Sequence, residues 1–173
     1  GLRADMEGKG TRSVVVFVHG FNNVLGDGVY RIAQIHHDLA LPAVAAHYAW
    51  PSAGNPLGYM RDRDSALFAR AGLLDMLDAV AGSGAEEIAI IAHSMGAFLT
   101  MEALILAGRD GPRPGLDRIS GGILIAPDID VTLFREQAAR LPALPQPFYI
   151  FTSARDPALR LSARLTGETD RLG

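Results

Sequence analysis

The stretch Ile88-Ala89-Ile90-Ile91-Ala92-His93-Ser94-Met95-Gly96-Ala97-Phe98-Leu99 decides the reading of this chain. Its first half is an apolar run without polar alternation, the pattern of a strand buried on both faces. Its second half continues through residue 107 as a segment apolar nearly all round, the pattern of a helix buried on most sides. Between them stands one serine, with small residues two positions to either side, Ala92 and Gly96. A turn that tight holds Ser94 in a strained conformation, and the small neighbours let strand and helix approach closely. The hydroxyl is predicted to stand clear at the C-terminal end of the strand. There it meets the positive end and the free N–H groups of the next helix.

Short apolar runs alternate with longer amphipathic ones on both sides of this stretch. Strands are predicted over 13–18, 44–50, 87–92, 119–126 and 148–153. Helices are predicted over 29–40, 59–81, 95–107, 131–141 and 158–165, with Gly82-Ser83-Gly84 stopping the second and a Gly/Pro loop following the third. Strict alternation of this kind predicts an α/β fold, a doubly wound and mainly parallel sheet of about five strands, and residues 1–173 are read as one domain.

Composition narrows the function. Apolar residues make up 49% of the 173 residues and charged ones 20%, which is globular. A net charge of −3 argues against a basic nucleic-acid binder. With no cysteine in the sequence, thiol nucleophiles, Cys-ligated zinc and disulfide scaffolds are excluded. No apolar run reaches the roughly 18 residues of a membrane span. Residues 1–11 are polar and lack the apolar core of a signal peptide, which leaves the compartment open and inclines it to the cytoplasm. His36 and His37 are adjacent on a helix and lack metal-ligand spacing, so neither a metal nor an organic cofactor is expected.

A second half-site precedes the first. Val18-His19-Gly20-Phe21 follows the first strand at its C-terminal end, where ligands gather on open α/β sheets. Glycine there lets the Phe21 N–H point into the cleft. With the N–H of Met95 it would cradle the oxyanion of a tetrahedral intermediate, each donor being worth about 3–4 kcal/mol.

With both half-sites in order, the sequence resembles the α/β-hydrolase superfamily in its esterase/lipase-like range, and most closely a bacterial branch. The resemblance runs through Phe17-Val18-His19-Gly20-Phe21-Asn22, Trp50-Pro51-Ser52, Asp62-Arg63, Ala92-His93-Ser94-Met95-Gly96 and Ala126-Pro127-Asp128-Ile129-Asp130. It implies Ser94 as nucleophile, Asp156 as catalytic acid and Asp128 as the alternative acid. It also implies Phe21 and Met95 as the oxyanion hole, with His19, Gly20 and Phe21 against a small acyl or ester substrate.

The superfamily's catalytic histidine follows its acid, whereas the five histidines here are His19, His36, His37, His47 and His93. The reading is therefore a truncated α/β-hydrolase fold whose base lies beyond residue 173, with an open sheet edge that would favour self-association. A non-catalytic domain binding a ligand or partner through the same cleft, and an acyltransferase using the same serine, stay open as alternatives. The structural alternatives are Ser94 as a helix N-cap, Asp156 as the cap of the helix that begins after Pro157, His93 packed under the turn and His19 as a structural hydrogen-bonder.

Overall fold

A computed structural model describes residues 1–152 and 172–173. Five strands form one all-parallel sheet in the order β2-β1-β3-β4-β5: β1 Ser13–Val18, β2 Val44–Tyr48, β3 Glu87–His93, β4 Ile119–Ile125 and β5 Phe148–Phe151. The helices are α1 Leu2–Lys9, α2 Leu25–Asp38, α3 Tyr59–Phe68, α4 Arg70–Gly82, α5 Met95–Asp110 and α6 Val131–Arg140. This is the expected doubly wound architecture, a parallel sheet with helices on both faces.

Alternation along the strands sorts the core. Val14, Val16 and Val18 of β1, Ile88, Ile90 and Ala92 of β3 and Leu124 of β4 point to the face covered by α3 to α6, where Leu73, Leu74, Leu77 and Leu99 are buried. Full burial of each such side chain stabilises the fold by about 1.5–3 kcal/mol. Val15, Phe17 and Ile91 point the other way, against Ile32 of α2. Among the described residues no helix is long and apolar enough to cross a membrane.

Three elements differ from expectation, each for a local reason. α1 was not predicted from its polar sequence; it docks through the buried Met6, with Leu2 packed beside it and Lys9 donating to the Ala43 carbonyl at 3.3 Å. α2 starts four residues early, at Leu25, because the Asp27 carboxylate accepts the Val24 N–H at 2.9 Å and closes the first turn. The helix expected over 59–81 is two helices. At their junction the Tyr48 hydroxyl donates to the Ala69 carbonyl at 2.6 Å and the Arg70 side chain to that of Leu67 at 2.7 Å. The helix expected over 158–165 lies outside the described residues.

Register positions the site. Val18 of β1 pairs with Ala92 of β3, so the turn His19-Gly20 leaves the sheet beside His93-Ser94. Ala92 pairs in turn with Leu124, which brings the end of β4 and the segment after it to the other side of Ser94.

Candidate active site

Ser94 occupies the N-cap position of α5 with φ 51° and ψ −121°. These angles match the first central residue of a type II′ turn, about +60° and −120°, a position that favours glycine. An L-residue there costs about 1–3 kcal/mol and persists only if its surroundings over-determine it. They do so here. The Ser94 N–H donates to the Ile125 carbonyl at 3.0 Å, and its own carbonyl accepts the N–H groups of Ala97 at 3.0 Å and Asp128 at 3.2 Å. The side chain makes no capping hydrogen bond to the helix, so the hydroxyl is not consumed as an ordinary N-cap.

Close approach explains the glycines. A Cβ on Gly96 would lie 2.3 Å from the His19 carbonyl oxygen and 2.5 Å from that of Val18. A Cβ on Gly20 would lie 2.9 Å from the Ser94 Cβ and 2.8 Å from His93 Nδ1. The start of α5 and the end of β1 are therefore in backbone contact, and Gly20-Phe21 borders the serine. The Met95 side chain is fully buried, so Met95 offers only its backbone N–H. Phe21 is half-buried, its ring edge-on to Tyr59 at 5.5 Å.

Two side-chain knots hold the loops around this point. His19, only 1% exposed, stacks on Trp50 with ring centres 4.9 Å apart and planes 8° off parallel. The Trp50 indole N–H donates to the His19 carbonyl at 2.8 Å, while the His19 Nε2 lies 3.1 Å from the Trp50 carbonyl. Nδ1 of the same ring lies 2.9 Å from the Gly20 carbonyl. The ring is thus packed inside the loop, which keeps it from lying against a substrate as the sequence suggested. Burial lowers its pKa below 6.5, against a smaller opposite pull from its backbone hydrogen bonds and from Asp62 and Asp27. His47, 5.3 Å from His19 and stacked on Phe17, is pulled down to about 4, chiefly by burial.

The second knot is Asp62, fully buried, which accepts the Ser52 hydroxyl and the Ala53 N–H. It braces the Trp50-Pro51-Ser52 segment from α3. Arg63 turns the other way and lies over the Phe98 ring at 4.4 Å. The sequence flagged Trp50 and Asp62-Arg63 without showing this pairing, because the partners come from separate loops.

Asp128 lies directly after β4, buried, its backbone bonded to Ser94 and its carboxylate accepting the Tyr59 hydroxyl at 2.8 Å. The structure thus brings Gly20, Phe21, Tyr59, Ser94 and Asp128 to one rim. Asp156 lies outside the described residues. His36 and His37 sit on α2, His36 with its Nε2 on the Ala43 carbonyl at 2.8 Å, away from this rim.

Among solved structures, the chain is similar to a Trichoderma reesei cutinase in complex with a phosphonate inhibitor at 13% identity and TM-score 0.51, covering 92% of this chain and 73% of the cutinase. It is similar to Thermogutta terrifontis esterase 2 phosphonylated by sarin at 15% identity and TM-score 0.51, covering 91% of this chain and 70% of the esterase. Aspergillus fumigatus lipase B matches at 17% identity and TM-score 0.49 over 67% of this chain, which spans only 24% of the lipase's length. For the cutinase and the esterase, the likeness at these identities shows a shared fold. No curated protein matches the sequence. The family described as "Alpha/beta hydrolase of unknown function (DUF900)" matches residues 1–173, and the chain belongs to that α/β-hydrolase family.

Proposed function

We propose that this chain is a serine hydrolase acting on carboxylic esters or related acyl compounds through an acyl-Ser94 intermediate. The observation that carries the reading is the backbone of Ser94, held at φ 51° and ψ −121° with its hydroxyl unused as a helix cap. Strain of this size at a strand-to-helix turn has an evident use in presenting a nucleophile.

In this reading Ser94 Oγ attacks the ester carbonyl carbon and passes its proton to a histidine base. The carbonyl oxygen takes the negative charge and is held by the N–H groups of Phe21 and Met95. The bond to the alcohol oxygen then breaks, and the alcohol leaves with the proton returned by the base. Water repeats the sequence on the acyl-serine; an alcohol in place of water would make the same site an acyltransferase. Asp156 is the acid of choice, with Asp128 as the alternative. The five histidines of the chain are not assigned as the base, and the nitrogens of His19 already face two carbonyl oxygens. The base in this proposal is supplied from outside the 173 residues.

The acyl pocket is shaped by Phe21 and by the segment from Pro51 to Tyr59. Val24 of the first loop lies against Gly54 of the second, since a Cβ on Gly54 would meet Val24 Cγ1 at 2.9 Å. Exposed Val24, Leu25, Leu57 and Met60 make this rim apolar, which supports an acyl chain rather than a charged group as occupant. The competing reading is a cleft that binds its ligand without chemistry.

Labelling with a fluorophosphonate, read by mass, separates the two. The expected result is one adduct on Ser94, lost in Ser94→Ala. Without its base the chain should hydrolyse a p-nitrophenyl ester only about 10³–10⁴-fold faster than water does, and a form extended to include the next histidine should be far faster. No adduct in either form would overturn the proposal and leave the binding domain.

A further inference from the structure

We propose that His19 is a positioning residue that aims the Phe21 N–H at the oxyanion, by holding the other end of the same peptide group. The proposal rests on the hydrolase reading for its kinetic consequence and on geometry alone for its structural one. The Gly20 carbonyl and the Phe21 N–H belong to one planar trans peptide, so they point in opposite directions and turn together. Gly20 lacks the Cβ that would restrict this rotation, and a loop peptide next to glycine needs an external restraint. That restraint is His19 Nδ1, 2.9 Å from the Gly20 carbonyl oxygen, with Asn23 Nδ2 donating weakly to the same oxygen at 3.4 Å.

The ring is built to act as a fixed donor. It is stacked flat on Trp50, and Trp50 is itself anchored by its indole N–H on the His19 carbonyl. That carbonyl is the one against which Gly96 packs, so ring, loop and the Ser94 turn form one rigid unit. Carbonyl oxygens only accept, yet both ring nitrogens face one: Gly20 at 2.9 Å and Trp50 at 3.1 Å. A neutral imidazole has a single N–H and can satisfy one of them. The proposal places the proton on Nδ1, the nitrogen of the shorter contact. The groups facing the ring are the His47 ring from β2, 5.3 Å away, and, at longer range, the carboxylates of Asp62 on α3 and Asp27 on α2.

Two conservative variants separate positioning from mere packing. In His19→Asn the side-chain amide nitrogen falls where Nδ1 was, and the Gly20 contact survives. In His19→Gln it falls where Nε2 was, and only the Trp50 contact survives. Both leave a similar void beside Trp50, so a purely structural role moves them together. The readouts are the rate of Ser94 phosphonylation, the thermal midpoint, and the Phe21 amide resonance in a nitrogen-15 spectrum. We expect His19→Asn to keep the labelling rate within about threefold. His19→Gln should lose about 10²-fold, the typical effect of removing one oxyanion donor. The midpoints should be alike, and the Phe21 amide should move only in His19→Gln.

Equal losses in the two variants, or a Phe21 amide unmoved by His19→Gln, would overturn the proposal. If the wild-type serine takes no label in this chain or in the extended form, the hydrolase reading fails, and the Phe21 resonance still decides the positioning claim. If neither variant folds, the ring nitrogens of the wild-type protein decide it. A proton on Nδ1 of His19 supports the proposal, and a proton on Nε2 alone overturns it.

Discussion

Replacing Gly96 by alanine tests the backbone contact on which the serine's presentation depends. The new Cβ would sit 2.3 Å from one carbonyl oxygen and 2.5 Å from another, whereas real Cβ contacts essentially never fall below 3.0 Å. The start of α5 must therefore retreat from β1 by at least about 0.7 Å, and both obstacles are backbone that cannot swing aside. Overpacking of this kind costs about 1–3 kcal/mol, against a gain of at most about 1 kcal/mol from alanine's helix propensity. A net loss of about 2 kcal/mol corresponds to a thermal midpoint lowered by about 4–8 °C in a chain of this size. Gly108 is the internal control, because it lies in the same helix with nothing within 4 Å of its notional Cβ. Gly108→Ala should be neutral or stabilising by up to about 1 kcal/mol. Urea denaturation followed by circular dichroism measures both. If the two variants differ by less than about 0.5 kcal/mol, a surface-like margin, the close-approach argument is wrong.

Other perturbations probe the surroundings. His47 has a folded pKa of about 4 against about 6.5 unfolded, and both its ring nitrogens lack a partner. Below about pH 6.5 the unfolded chain takes up the proton first, so stability should fall as the pH drops toward 4, by at most about 3 kcal/mol and by less for a ring that is not fully buried. His47→Leu should cost little at neutral pH and should flatten this slope in urea midpoints; an unchanged slope would refute the assignment. At the cleft rim, Leu57 is 94% exposed, so Leu57→Ser should leave stability within about 0.5 kcal/mol. Combined with Met60→Ser in the extended form, it should lower kcat/KM for an octanoyl ester relative to an acetyl ester by about tenfold. An unchanged ratio would place the acyl chain elsewhere.

What was legible in the sequence was whatever depends on short-range pattern. Short apolar-rich runs marked the five strands, and one serine between such a strand and a buried helix marked the strand-to-helix turn, whose strained backbone is the one expected. The His19-Gly20 turn was legible for the same reason, as a small residue at a strand end. Interactions between distant loops were not. Trp50 and His19 are 31 residues apart and exchange bonds that neither residue's neighbours foretell. The phrase Asp62-Arg63 stood out in the sequence, but nothing in it showed that Asp62 is the buried anchor of Ser52 and Ala53. At the break between α3 and α4 the Ala69 carbonyl accepts from a tyrosine on β2, 21 residues earlier, and α1 docks through Met6 and Leu2 of an otherwise polar segment. Helix propensity and periodicity carry no signal for such tertiary capture of single carbonyls or side chains.

The most direct test of the account is the crystal structure of the chain after reaction with a phosphonate, whose phosphonyl oxygen stands in for the tetrahedral oxyanion. Phosphorus should be bonded to Ser94 Oγ, and the phosphonyl oxygen should lie about 2.7–3.1 Å from both the Phe21 and Met95 backbone nitrogens. An adduct on another residue, or one on Ser94 whose oxygen turns to solvent away from both N–H groups, would contradict it.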